Sequence, residues 1–106
     1  MKVVDHEHSL WFLLSDEDEL ILDVYCNHSA FGYSWTLILQ DHECESYHKK
    51  GREALSQLAL QIQTSAPILK ESASPFKDRM VSKKLEKQIE ETIRLWNADQ
   101  SPEPDK

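Results

Sequence analysis

Large apolar side chains at Phe31, Tyr33, Trp35, Leu37 and Leu39 alternate with Gly32, Ser34, Thr36, Ile38 and Gln40. A period of two places the first set on one face of an extended chain, which predicts a β-strand over 31–40. Two shorter apolar runs precede it, Leu10–Leu14 and Leu20–Cys26, separated by the polar stretch Ser15–Glu19. Runs so spaced read as a β-hairpin. In the second run Leu20, Leu22, Val24 and Cys26 share one face, whereas Ile21, Asp23 and Tyr25 share a wetter one. Asn27, His28 and Ser29 supply turn chemistry before the third strand. The result is an antiparallel meander with one greasy face.

From Asp41 the period changes. Tyr47, Gly51, Ala54, Leu55, Leu58, Ala59 and Ile62 recur at helical spacings, with Asp41 as the expected N-cap. Gly51 marks either a close approach to the sheet or a local break. Pro67 and Pro75 exclude a continuous helix through 65–79, so a long connection is expected there, with Ile68 and Leu69 as a short fourth strand or as anchors. Ser82 is placed to cap a last helix whose Leu85, Ile89, Ile93 and Trp96 form an apolar stripe. The predicted fold class is α+β: an antiparallel three- to four-stranded sheet in the order β-β-β-α-loop-α, with two helices packed on one face. A single domain is expected over 10–97, between a flexible N-terminus at 1–9 and a disordered C-terminal tail at 98–106.

Charge changes this picture more than composition does. The chain of 106 residues carries a net charge of -7, unevenly placed. Residues 1–48 hold ten acids and one Lys, and residues 49–106 hold eleven bases and nine acids. An acidic first half argues against a nucleic-acid partner and for a protein partner that is basic. No apolar run is long enough to span a bilayer and no secretory leader is visible, so a cytoplasmic setting with reduced thiols is expected, without a membrane partner.

Chemistry-bearing residues are sparse. Cys26 and His28 lie two apart, and Cys44 and His48 four apart, so the four form a zinc site if strand end and helix start converge. The same residues, with Asp41, could supply a nucleophile, a base and an orienting carboxylate. There is no glycine-rich phosphate loop, nucleophile elbow or H-E-x-x-H motif. No cofactor other than zinc is suggested. The aromatic residues matter more, because Trp11 and Phe12 point to opposite faces and cannot both lie under helices that cover one side. A contact surface formed by Trp11, Tyr25, Tyr33 and Trp35 with Asp16, Glu17, Asp18 and Glu19 follows, serving a protein partner or a homodimer.

The stretch Asp-Val-Tyr-Cys-Asn-His-Ser-Ala-Phe-Gly-Tyr-Ser-Trp from Asp23 to Trp35, with Gly51-Arg52-Glu53 and Ser65-Ala66-Pro67, resembles an uncharacterised family of small stand-alone bacterial proteins. That resemblance implies a free-standing bacterial domain and no activity. Size, acidity and architecture are similar to those of immunity proteins that cap basic toxins. A non-catalytic interaction module of immunity or antitoxin type is therefore the leading reading. A small metal protein or enzyme using Cys26, His28, Cys44 and His48 is the alternative.

Overall fold

A computed structural model describes residues 1–28 and 30–100, without the side chains of His28 and Gln100. It is an α+β fold built on a four-stranded antiparallel sheet, β1 (Lys2–Glu7), β2 (Trp11–Asp16), β3 (Glu19–His28) and β4 (Phe31–Ile38). The strands lie side by side in chain order. Three helices follow, α1 (Asp41–Lys50), α2 (Arg52–Ser65) and α3 (Lys83–Gln100), with a short 3-10 turn at Lys77–Arg79 before the last.

The fourth strand comes from the segment expected to be a flexible N-terminus. Lys2–Glu7 pairs with β2 through a register shift between Val3 and Asp5. That bulge breaks the alternation by which strands are recognised, and the inward positions include Asp5 and His6, so hydropathy gives no signal. Asp5 is held by the Tyr47 hydroxyl and the Arg52 Nε, each donating at 2.8 Å, which ties the edge strand to the helices. Ile68 and Leu69 form no strand and lie in turns. Asn27 and His28, expected in a turn, extend β3, and Ser29 lies outside the described residues. At the other end Ala98–Gln100 continue α3, and the rest of the expected tail, 101–106, lies outside the described residues.

Both faces of the sheet are covered, which corrects the expectation of helices on one side. Trp11, Leu13, Leu22, Val24, Cys26, Trp35 and Leu37 meet Leu55, Ala59 and Ile62 of α2 in one core. On the reverse face Leu14 and Ile21 meet Ile89 of α3, with Phe12, Ile38, Leu85 and Ile93 packed around them. Phe12 also meets Trp96 edge-on at 5.5 Å, and His6 lies 4.7 Å from the same indole. Adjacent apolar residues in β2 thus serve two cores rather than one thick one.

Local chemistry sets the boundaries. Gln40 is the N-cap of α1, one residue before the expected Asp41, and its N–H donates to Glu43 Oε1 at 2.8 Å. Gly51 separates α1 from α2 with φ at 69° and ψ at -144°, a conformation nearly confined to glycine. It is a break, not a close approach, since a Cβ there would meet nothing within 4 Å. Ser82 caps α3 as its sequence suggests, its Oγ accepting from the Leu85 N–H at 3.2 Å.

Residues 66–79 hold their shape through serines and one lysine. Ser72 Oγ donates to the Ser65 carbonyl at 2.6 Å and accepts from Ser74 N–H at 3.0 Å. The Lys77 ammonium donates to the carbonyls of Leu69 and Lys70. Phe76 is buried in the main core, and its carbonyl accepts from the Trp35 Nε1 at 3.0 Å. Arg79 then clamps the segment, donating to both Glu43 carboxylate oxygens at 2.7 and 2.9 Å and to the Ile38 carbonyl at 2.8 Å. Directly after it, Met80 bridges to Leu37, and the Val81 N–H donates to the Thr36 carbonyl at 3.0 Å.

Candidate interaction surface

The residues expected to form one contact surface are dispersed by the fold. Trp11, 1% exposed, donates its Nε1 proton to Ser56 Oγ at 3.1 Å inside the core, and Trp35 is 8% exposed. Neither indole presents a surface, because both belong to the face that α2 covers. Tyr33 is half-buried on that same face, its ring 5.7 Å from Phe31. Its hydroxyl lies beside Cys26 and the Ile68 backbone without a well-formed hydrogen bond among the described residues. Burial, then the neighbouring Cys26, pushes its pKa up to about 12. Tyr25 alone of the four is freely exposed, at 49%.

Tyr25 lines a cavity with Leu60, an exposed apolar residue that the helical period did not single out. Leu10, Tyr25 and Leu60 are exposed, as is Phe31, paired with His28 at the end of the β3–β4 ladder. Leu10, Val24, Tyr25, Ser56, Ala59, Leu60 and Gln63 line a shallow cavity of about 240 Å³ between the sheet and α2. Leu60 carries no pattern of its own, being one apolar residue on the polar side of its helix.

Asp16, Glu17, Asp18 and Glu19 form the tip of the β2–β3 hairpin at the opposite end of the sheet. Asp16 and Glu19 close the ladder, and Glu17 adopts a left-handed φ of 56°. Tyr25 lies six positions beyond Glu19 along β3, roughly 20 Å at the rise of an extended strand. The acidic tip and the exposed aromatics are therefore separate patches. Among the described residues Glu17, Asp18 and Glu19 meet no cation within salt-bridge distance, and Asp16 meets only the Met1 ammonium at 3.8 Å.

The four proposed zinc ligands do not assemble among the described residues. No group of three or more His, Cys, Asp or Glu side chains there could hold a metal ion. Cys26 is in the main core and Cys44 is on α1 at its margin; the His28 side chain lies outside the described residues. Nor are the thiols activated. Burial raises the Cys26 pKa, and burial with the charges of Asp41 and Glu43 raises that of Cys44.

An open cleft of about 390 Å³ lies between α1, α2 and the 75–79 segment. His42, Glu43, Lys50, Gln61 and Arg79 line it, but Glu43 and Arg79 satisfy one another. Burial raises the Glu43 pKa, and the Arg79 hydrogen bonds, the Gln40 N–H and the guanidinium charge outweigh it, holding the carboxyl below its ordinary value. Such a pair fixes structure and offers no free acid or base. Among the described residues, no helix is long and apolar enough to cross a membrane. No known protein family matches this chain, and no curated protein and no solved structure is detectably similar to it.

Proposed function

We propose that this protein is a non-catalytic interaction module that recognises a basic protein partner, in the manner of an immunity protein or antitoxin from a bacterial cytoplasm. The observation that carries the reading is the acidic hairpin tip. Carboxylates of Asp16, Glu17, Asp18 and Glu19 are concentrated at one end of the sheet, and among the described residues no lysine or arginine side chain lies within salt-bridge distance of them, Asp16 meeting only the Met1 ammonium at 3.8 Å. Carboxylates concentrated at such a position raise the encounter rate with a cationic surface and favour it over other partners. In the Lys- and Arg-rich second half, Arg79 is tied to Glu43 and Lys77 to backbone carbonyls.

The test replaces the tip with neutral isosteres, Asp16→Asn, Glu17→Gln, Asp18→Asn and Glu19→Gln together, and measures capture of partners by a tagged chain at native expression in its own host. A basic partner bound by the wild type and held roughly tenfold more weakly by the variant at low ionic strength is the expected result. Equal binding by both proteins, or capture of no basic partner, refutes the reading.

A further inference from the structure

The two edges of the sheet differ in a way that the basic-partner reading does not use. At one edge β1 carries Lys2, Asp5, His6 and Glu7 and a bulge, features that discourage a further strand from pairing. At the other edge β4 carries none of them. From Ala30 to Gln40 no side chain bears a charge, in a protein whose net charge is -7.

Register shows which backbone groups this edge presents. The Thr36 carbonyl accepts from Val81 and the Ile38 carbonyl from Arg79, so even-numbered residues of β4 point their N–H and C=O groups away from β3. The 79–81 segment covers Thr36 and Ile38. Gly32 and Ser34 are exposed, and among the described residues their outward N–H and C=O groups have no partner. The uncovered window is Phe31–Trp35, bounded on one side by the β3–β4 turn and on the other by the bridge at Leu37 and Met80. Gly32 also makes room for the Tyr25 ring, whose hydroxyl lies 2.5 Å from where a Cβ would stand.

We infer that this window pairs with the same window of a second copy, joining two sheets edge to edge in an isologous antiparallel dimer. Centred on Tyr33, the pairing sets Gly32 opposite Ser34 of the second copy and Ser34 opposite its Gly32. Every outward backbone group is then satisfied, with two hydrogen bonds exchanged in each of the two pairs. Phe31 falls opposite Trp35 and Tyr33 opposite Tyr33 on one face, while only Gly and Ser meet on the other. A window that is its own complement, and is the uncharged part of an acidic chain, favours a second copy over a basic peptide, which would find no carboxylate there.

The experiment is sedimentation equilibrium over about 5–500 µM, a range suited to a small interface, on wild type and Ser34→Pro. Proline removes an outward N–H and leaves the ladder to β3 intact. A mass rising from 12.4 kDa toward twice that value in the wild type, with at least a tenfold weaker association in Ser34→Pro at an unchanged melting temperature, is expected. A wild type that remains monomeric throughout, or a dimer undiminished by the substitution, overturns the proposal. Amide exchange of the wild type keeps the test decisive if the variant does not fold. Protection of the Gly32 and Ser34 amides that grows with protein concentration supports the pairing, and solvent-like exchange at the highest concentration sinks it.

Discussion

At the scale of single residues, Asp23 is the one that works against the fold. It lies on the α3 side of β3, where it accepts a hydrogen bond from the Thr36 hydroxyl. Burial, set against that hydrogen bond and reinforced by the charges of Glu86 and Glu90, raises its pKa above the ordinary 3.8. A carboxyl raised in the folded state contributes stability that is complete below its unfolded pKa and is lost as pH rises through the folded one. Asp23→Asn keeps an acceptor for Thr36 and removes the charge, so the variant is expected to be more stable at neutral pH by about 1 kcal/mol, a few degrees in melting temperature. Urea denaturation at pH 7 and at pH 3.5 checks this: the gain should shrink in acid, and an equal gain at both values would sink the explanation. The strand position of Asp23 was legible from the period of two. Its neighbours Glu86 and Glu90 were not, because they arrive from a helix more than sixty residues away in sequence.

Among elements, the junction of α1 and α2 shows how a single residue without a side chain decides geometry. Gly51 is needed for its backbone angles alone, its N–H closing α1 on the Tyr47 carbonyl at 2.7 Å. Gly51→Ala is expected to cost about 1–2 kcal/mol despite raising helix propensity, measured as a lower urea midpoint with unchanged slope; a stabilised variant would show that one continuous helix is acceptable. The alternation in β2, β3 and β4 and the cap at Ser82 could be read directly from residue spacing. β1 could not, because its bulge interrupts the pattern and its partners Tyr47 and Arg52 are supplied by helices. The dispersal of the contact residues had the same origin. Spacing tells which face of its own strand a side chain takes, so Trp35 could be set with Phe31 and Tyr33 and Trp11 opposite Phe12, but whether a face is covered depends on where the helices dock.

Across the whole molecule the sheet separates two cores of unequal weight. The larger, under α2, is closed by Phe76 and the clamped 66–79 segment; the smaller rests on α3 through Ile89. Ile89→Ala is expected to cost about 2–4 kcal/mol, the range for emptying a well-packed aliphatic site, and to raise binding of a hydrophobic dye before the main transition, since among the described residues α3 is the helix that covers this face. Coincident loss of both cores by tryptophan fluorescence and circular dichroism would instead mark them as one cooperative unit.

Strands adjacent in space are also adjacent in sequence, so the sheet can zip together hairpin by hairpin while the chain is being synthesised. The cover for its second face, α3, is made only after all four strands and both other helices. Until residues 83–100 leave the ribosome, Phe12, Leu14, Ile21 and Ile38 form a finished but bare apolar wall. A nascent chain therefore passes through an interval in which it is well ordered and adhesive at once, and a message cut short before α3 yields a sticky product rather than a weakened one.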